Sequence, residues 1–75
     1  MKIIAEQNHP TDEEIIIHEV LIDIGESVSP NQTLFIAEGS KSLFDIESSE
    51  SGKIKEILVK AGDVVPIGSV LVILE

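Results

Sequence analysis

Lys41 is the residue with the clearest chemical potential in this chain. It is the only Lys or Arg between Lys2 and Lys53, and it stands in the polar stretch Glu38-Gly39-Ser40-Lys41-Ser42. The flanking segments Thr33–Ala37 and Leu43–Glu47 are short and mostly apolar, so the lysine falls at the tip of a tight turn between them. An amine at a hairpin tip projects away from the body of the protein and can be reached from nearly all sides. Covalent attachment of a prosthetic group needs that geometry, because a separate enzyme must reach the amine. The plain alternative is a solvated turn lysine, and composition alone favours it, since surface lysines are common.

Other candidate chemistry is weaker. Gly39-Ser40-Lys41-Ser42 has the look of the end of a phosphate loop, but no Gly directly precedes the lysine and the G-x-x-x-x-G spacing is missing. His9 and His18 are nine residues apart with no partner for zinc, and two His rarely suffice. His18 is expected on a partly exposed strand face and His9 in an N-terminal loop. Glu13-Glu14 and Ser48-Ser49-Glu50 read as solvated loops. A catalytic carboxylate pair would need a cleft that so small a domain does not readily offer.

The elements that must position Lys41 are limited by the length of the chain. Its 75 residues predict one domain, 1–75, burying only about 60–65% of its unfolded surface. Apolar residues make up 43%, enough for a core and too many for a disordered tail. Fourteen Asp and Glu against five Lys and no Arg give a net charge of −9, the wrong sign for nucleic acid or an anionic membrane surface. With no cysteine there is no disulfide and no thiolate metal site. The first acid, Glu6, comes too early for a signal peptide, and the 11-residue run Val64–Leu74 is too short to span a bilayer. A cytoplasmic location is expected.

An internal repeat organises the chain. Shifted by 37 positions, His18–Glu38 matches Lys55–Glu75 over 21 residues, seven of them identical: Glu19/Glu56, Leu21/Leu58, Gly25/Gly62, Val28/Val65, Leu34/Leu71, Ile36/Ile73 and Glu38/Glu75. Both copies share the order apolar run, Gly-acid, Val, second apolar run, which predicts two similar halves about a pseudo-twofold axis. Lys41 lies at their junction.

Local patterning is ambiguous. Ile17, Val20, Leu21 and Ile24 fit helical spacing, as do Ile54, Ile57, Leu58 and Ala61, and Thr11-Asp12-Glu13-Glu14 resembles a capping box. Against helices stand Ile15-Ile16-Ile17 and a general richness in β-branched residues. Short runs bounded by Gly25, Pro30-Asn31, Gly39, Gly52, Gly62 and Pro66–Gly68 read as strands between turns. An all-β barrel or sandwich is favoured, by a modest margin.

The spacing around Lys41 adds a resemblance. Gly25 lies 16 residues before it and Gly52 lies 11 after. With the duplicated halves, Ile24-Gly25-Glu26, the Leu34…Ala37-Glu38-Gly39 approach to the turn, and Gly52-Lys53-Ile54 followed by Ala61-Gly62-Asp63, the chain resembles the lipoyl domains of 2-oxo acid dehydrogenase acyltransferase subunits. More broadly it is similar to the biotinyl/lipoyl attachment-domain superfamily, over essentially Lys2 to Glu75. The resemblance implies a flattened barrel or sandwich of two four-stranded antiparallel sheets, and it turns the ambiguous runs Ile15–Ile24 and Lys53–Ala61 into strands. It also implies that Lys41, supported by Glu38, Gly39, Ser40 and Ser42, carries lipoate. Such a domain is a carrier and not an enzyme by itself. An amide-linked dithiolane would take an acyl group and electrons from a thiamine-dependent decarboxylase and pass the acyl group on at an acyltransferase core. A flavin dihydrolipoyl dehydrogenase would then reoxidise it. A lipoate-attaching enzyme is the further partner implied.

The turn departs from the family in one place: Ser40-Lys41-Ser42 stands where lipoyl domains usually have Asp-Lys-Ala. Serine is as small and turn-compatible as either residue, so the hairpin is expected to survive while one negative charge beside the lysine is lost. Biotin domains flank their lysine with methionines, and Met1 is the sole Met here, so biotin ranks second to lipoate. An unmodified interaction module on the same fold is the competing function. Phe44 is expected to pack under the hairpin, and Glu38, Asp45 and Glu47 to leave an acidic surround suited to a basic docking surface.

Overall fold

The computed structural model describes every residue except Lys41. Eight strands follow in order: β1 (Lys2–Ile4), β2 (Glu14–Val20), β3 (Ser27–Val28), β4 (Thr33–Glu38), β5 (Leu43–Glu47), β6 (Gly52–Ile57), β7 (Val64–Pro66) and β8 (Val70–Leu74). They form two four-stranded antiparallel sheets of order β1-β8-β6-β3 and β5-β4-β2-β7. The all-β flattened sandwich is therefore the fold, and among the described residues there is no helix.

The helix-compatible spacings are resolved by side-chain alternation. In β2, Ile15 and Ile17 are fully buried while Ile16 is 39% exposed, a period of two that only a strand produces. The Thr11–Glu14 motif caps no helix, because β2 begins at Glu14 and Thr11 Oγ1 lies against His9 Nδ1 and Ser40 Oγ instead. The strands are also shorter than the resemblance implied. β2 stops at Val20 and β6 at Ile57, since Gly25 (φ 90°) and Gly62 (φ 95°) turn the chain soon after. Pro66, which cannot donate to a ladder, lies in β7 at the edge of its sheet.

The pseudo-twofold is visible bond by bond. The Gly25 amide donates to Ile54 C=O at 2.8 Å, and its repeat partner Gly62 donates to Ile17 C=O at 2.7 Å. Ile17 N–H to Asp63 C=O matches Ile54 N–H to Glu26 C=O, both 2.8 Å. The register shift between Ile17 and Glu19 against β4 recurs between Ile54 and Glu56 against β8. The four positive-φ residues among the described residues form equivalent pairs, Gly25 with Gly62 and Asn31 (φ 71°) with Gly68 (φ 94°). The duplicated core follows: Leu34 and Leu71 are fully buried, as are Phe35 and Val72, facing Ile15, Ile17 and Ile54 between the sheets.

The repeat also extends beyond its legible part. Pairing of β1 with β8 (Lys2↔Ile73, Ile3↔Val72) mirrors that of β5 with β4 (Asp45↔Ile36, Ile46↔Phe35), with the same register shift near the end of each ladder. Ala5 and Ser48, both buried, are equivalent: each amide donates to the residue at the Ser69 or Gln32 position. Here the offset is 43, against 37 from Glu14 onward, so the first half holds six more residues between Ala5 and Glu14.

Candidate functional site

β4 and β5 run side by side until Glu38 pairs with Leu43. Beyond that pair the Gly39 amide donates to the Ser42 carbonyl at 3.0 Å and closes the hairpin. Glu38, Ser40, Ser42 and Leu43 are all exposed, and Gly39 is half-buried. The expected supporting residues thus come together at one hairpin end, at the junction of the halves. Lys41 itself, the expected attachment residue, lies outside the described residues.

Phe44 is half-buried and packs against the core cluster, as expected of a residue under the hairpin. Asp45 and Glu47 are exposed along β5. His18 is exposed on β2. His9 is half-buried in the N-terminal loop, its Nδ1 at 2.9 Å from Thr11 Oγ1. No helix follows Gly39–Ser42, so the phosphate-loop reading has no structural counterpart.

Sequence reasoning missed the residue that grips the hairpin. Asp12 is only 2% exposed, and its carboxylate accepts four bonds. Oδ1 takes the Ser40 hydroxyl at 2.6 Å and the Ser40 amide at 2.9 Å. Oδ2 takes the amides of His9 at 3.0 Å and Asn8 at 3.2 Å. The Ser40 hydroxyl and then the Ser40 amide hold its carboxyl down from the ordinary 3.8 to about 2, with the His9 and Asn8 amides adding to this; burial opposes it. Thr11 Oγ1 also lies 3.2 Å from Ser40 Oγ. Gly39 is needed for space: a Cβ there would stand 2.8 Å from Asp12 Oδ2. No local signal reveals this, because Asp12 and Ser40 are 28 residues apart.

An apolar row on the outer sheet face was missed as well. Val64, Ile16, Glu38 and Leu43 are successive cross-strand neighbours, and Val64, Ile16 and Leu43 are 54%, 39% and 53% exposed. Glu38 interrupts the row, which ends at Leu43 beside the hairpin.

Comparison with known proteins agrees with this geometry. A sequence model of the biotin/lipoyl family, described as biotin-requiring enzyme, matches residues 9–74. The chain is 36% identical over 63 residues to the dihydrolipoyllysine-residue acetyltransferase component of the Haemophilus influenzae pyruvate dehydrogenase complex, covering 84% of the chain and 11% of that protein. It is 42% identical over 57 residues to the biotin carboxyl carrier protein of acetyl-CoA carboxylase from Pyropia yezoensis, covering 76% of the chain and 36% of that protein. The chain thus spans only a minor part of the length of either relative. In fold it is similar to the crystal structure of Kluyveromyces lactis urea carboxylase, with a TM-score of 0.66 and 23% identity over all of this chain and 7% of that one. On the family match across residues 9–74, the chain belongs to the biotin/lipoyl attachment family.

Proposed function

We propose that residues 1–75 form one carrier domain that bears lipoate in amide linkage on Lys41. The observation that carries this reading is the hairpin. A single lysine stands in sequence between Ser40 and Ser42, in a turn whose described neighbours Glu38, Ser40, Ser42 and Leu43 are all exposed. Those neighbours raise no wall against a modifying enzyme, and an arm anchored there needs no binding cavity, so the residues fit the group. The amide forms at the expense of ATP, which leaves as AMP and pyrophosphate, while the lysine Nζ gives up its proton. Once bound, the dithiolane supplies acyl transfer coupled to two-electron redox chemistry. The chain's own part is to hold the anchor, present an acidic face (Glu38, Asp45, Glu47) and raise the local concentration of the arm at its partners.

By this reading the partners are a lipoate-attaching enzyme and the thiamine-dependent decarboxylase, acyltransferase core and flavin dihydrolipoyl dehydrogenase of a 2-oxo acid dehydrogenase-type complex. The acetyltransferase relative supports that assignment. Biotin is the second reading, favoured by the 42% identity to a biotin carboxyl carrier protein. Against it, no methionine flanks Lys41.

Intact mass after incubation with lipoate, ATP and a lipoate ligase tests the proposal, with Lys41→Arg alongside. One lipoyl amide on the parent and none on the variant is the expected result. A folded parent that takes no lipoate but takes one biotin from a biotin ligase would establish the second reading. Failure of both would refute a carrier role.

A further inference from the structure

The two halves of the molecule superpose in register except in two places. The first is the six extra residues between Ala5 and Glu14. The second is the connection 39–43: Glu38 corresponds to Glu75 and Phe44 to Met1, so these five residues join what at the opposite end are the two chain ends. The symmetric scaffold requires neither feature. Yet the two meet, because Asp12 belongs to the first and Ser40 to the second.

We infer that the extra loop is a tether for the hairpin and that Asp12 is a positioning residue for modification of Lys41. This rests on the reading that Lys41 is the attachment site. The β4–β5 ladder ends at Glu38↔Leu43, and beyond it the described turn has one bond of its own, Gly39 to Ser42. A two-stranded tip held so lightly can swing about its base. Asp12 prevents this by binding both the amide and the hydroxyl of the residue next to the lysine, as a charged acceptor. Its other oxygen is fixed by the Asn8 and His9 amides, and Gln7 Nε2 donates to the Asp12 carbonyl at 3.0 Å, so the tether is braced within its own loop. Gly39 lets the carboxylate come close. Ser40 matches it as a donor at a position where a carboxylate would face a second carboxylate. An enzyme that acylates one amine must find it at a fixed place, and a displacement of about 1 Å can cost up to a hundredfold in rate.

The test compares the parent chain with Asp12→Ala and Ser40→Ala by three measurements. These are kcat/KM for lipoylation by lipoate ligase, the rate of Lys41 acetylation by a small N-hydroxysuccinimide ester, and hydrogen exchange of the Ser40 amide. A tether predicts that Asp12→Ala lowers kcat/KM at least about tenfold and speeds Ser40 exchange. Acetylation, which needs an amine but no fixed hairpin, should stay within about twofold of the parent. Ser40→Ala, which keeps the amide bond, should show the same split with a smaller loss. Faster Ser40 exchange with unchanged kcat/KM would overturn the inference, as would an equal fall in enzymatic and chemical acylation. Should Asp12→Ala fail to fold, Ser40→Ala decides alone: unchanged ligation overturns the tether. A parent chain that takes no lipoate refutes the lipoate reading, and the same split is then read with biotin and its ligase. If neither group attaches, the positioning role falls with the carrier role.

Discussion

Four leucines occupy identical positions in the repeat, and the structure divides them into two kinds. The repeat pair Leu34 and Leu71 is fully buried between the sheets, whereas the other pair, Leu21 and Leu58, is 43% and 48% exposed. Truncating a buried leucine to alanine removes its transfer free energy and leaves a cavity, at a cost of about 2–5 kcal/mol. A half-exposed leucine forfeits only about half of a transfer term of roughly 2 kcal/mol, so about 1 kcal/mol is expected. A 75-residue domain is stable by about 4–11 kcal/mol, so each core truncation consumes a large fraction of the total. Because the chain has no Trp or Tyr, urea unfolding is best followed by far-UV circular dichroism. With a slope of about 1 kcal/mol per M, Leu34→Ala and Leu71→Ala should each lower the midpoint by about 2 M or more, and by similar amounts. Leu21→Ala and Leu58→Ala should lower it by about 1 M or less. If the exposed pair cost as much as the buried pair, or if the buried pair cost under about 1 kcal/mol each, the pseudo-symmetric core described above would be wrong.

Two further perturbations probe the turns and the tether. Gly25→Ala and Gly62→Ala put a Cβ into open space at φ 90° and 95°, so each should be destabilising through backbone strain alone, by about 1–2 kcal/mol. The losses should be nearly equal and additive in thermal melts, and a neutral result at either site would deny the left-handed turn. Asp12 has a folded-state pKa below its unfolded one, so its contribution is present above about pH 3.8 and is lost as pH falls toward about 2. The difference in melting temperature between the parent and Asp12→Asn should therefore be full at pH 6 and close between those values. A gap that persists unchanged to pH 2 would mean that the carboxylate charge is not what holds Ser40.

Much of this protein was legible in its sequence because the relevant signals are local or repeated. The shift of 37 exposed the duplication, and Gly25 and Gly62 marked turns that φ values of 90° and 95° require. The segments Thr33–Ala37 and Leu43–Glu47 flanking Lys41 became β4 and β5 almost residue for residue. Local pattern alone did not separate strand from helix at Ile15–Ile24, since branched apolar runs fit both periods until burial selects one face. The resemblance resolved it correctly as strand but extended β2 and β6 too far, because the chain leaves the ladder before each glycine turn.

The sequence by itself determined the two-half organisation and the lysine at the junction, since both rest on internal repetition and turn residues, while the two-sheet β architecture came with the family resemblance. Tertiary structure alone decided what steadies the hairpin. In the sequence Asp12 is only a spacer within Thr11-Asp12-Glu13-Glu14, which is a valid local capping-box pattern. Its true partner, Ser40, is 28 residues away and is brought near only when β2 and β4 pair. Hydrogen bonds between distant residues carry no periodicity and leave no trace in composition. They exist only where the folded backbone sets a donor within about 3 Å of an acceptor.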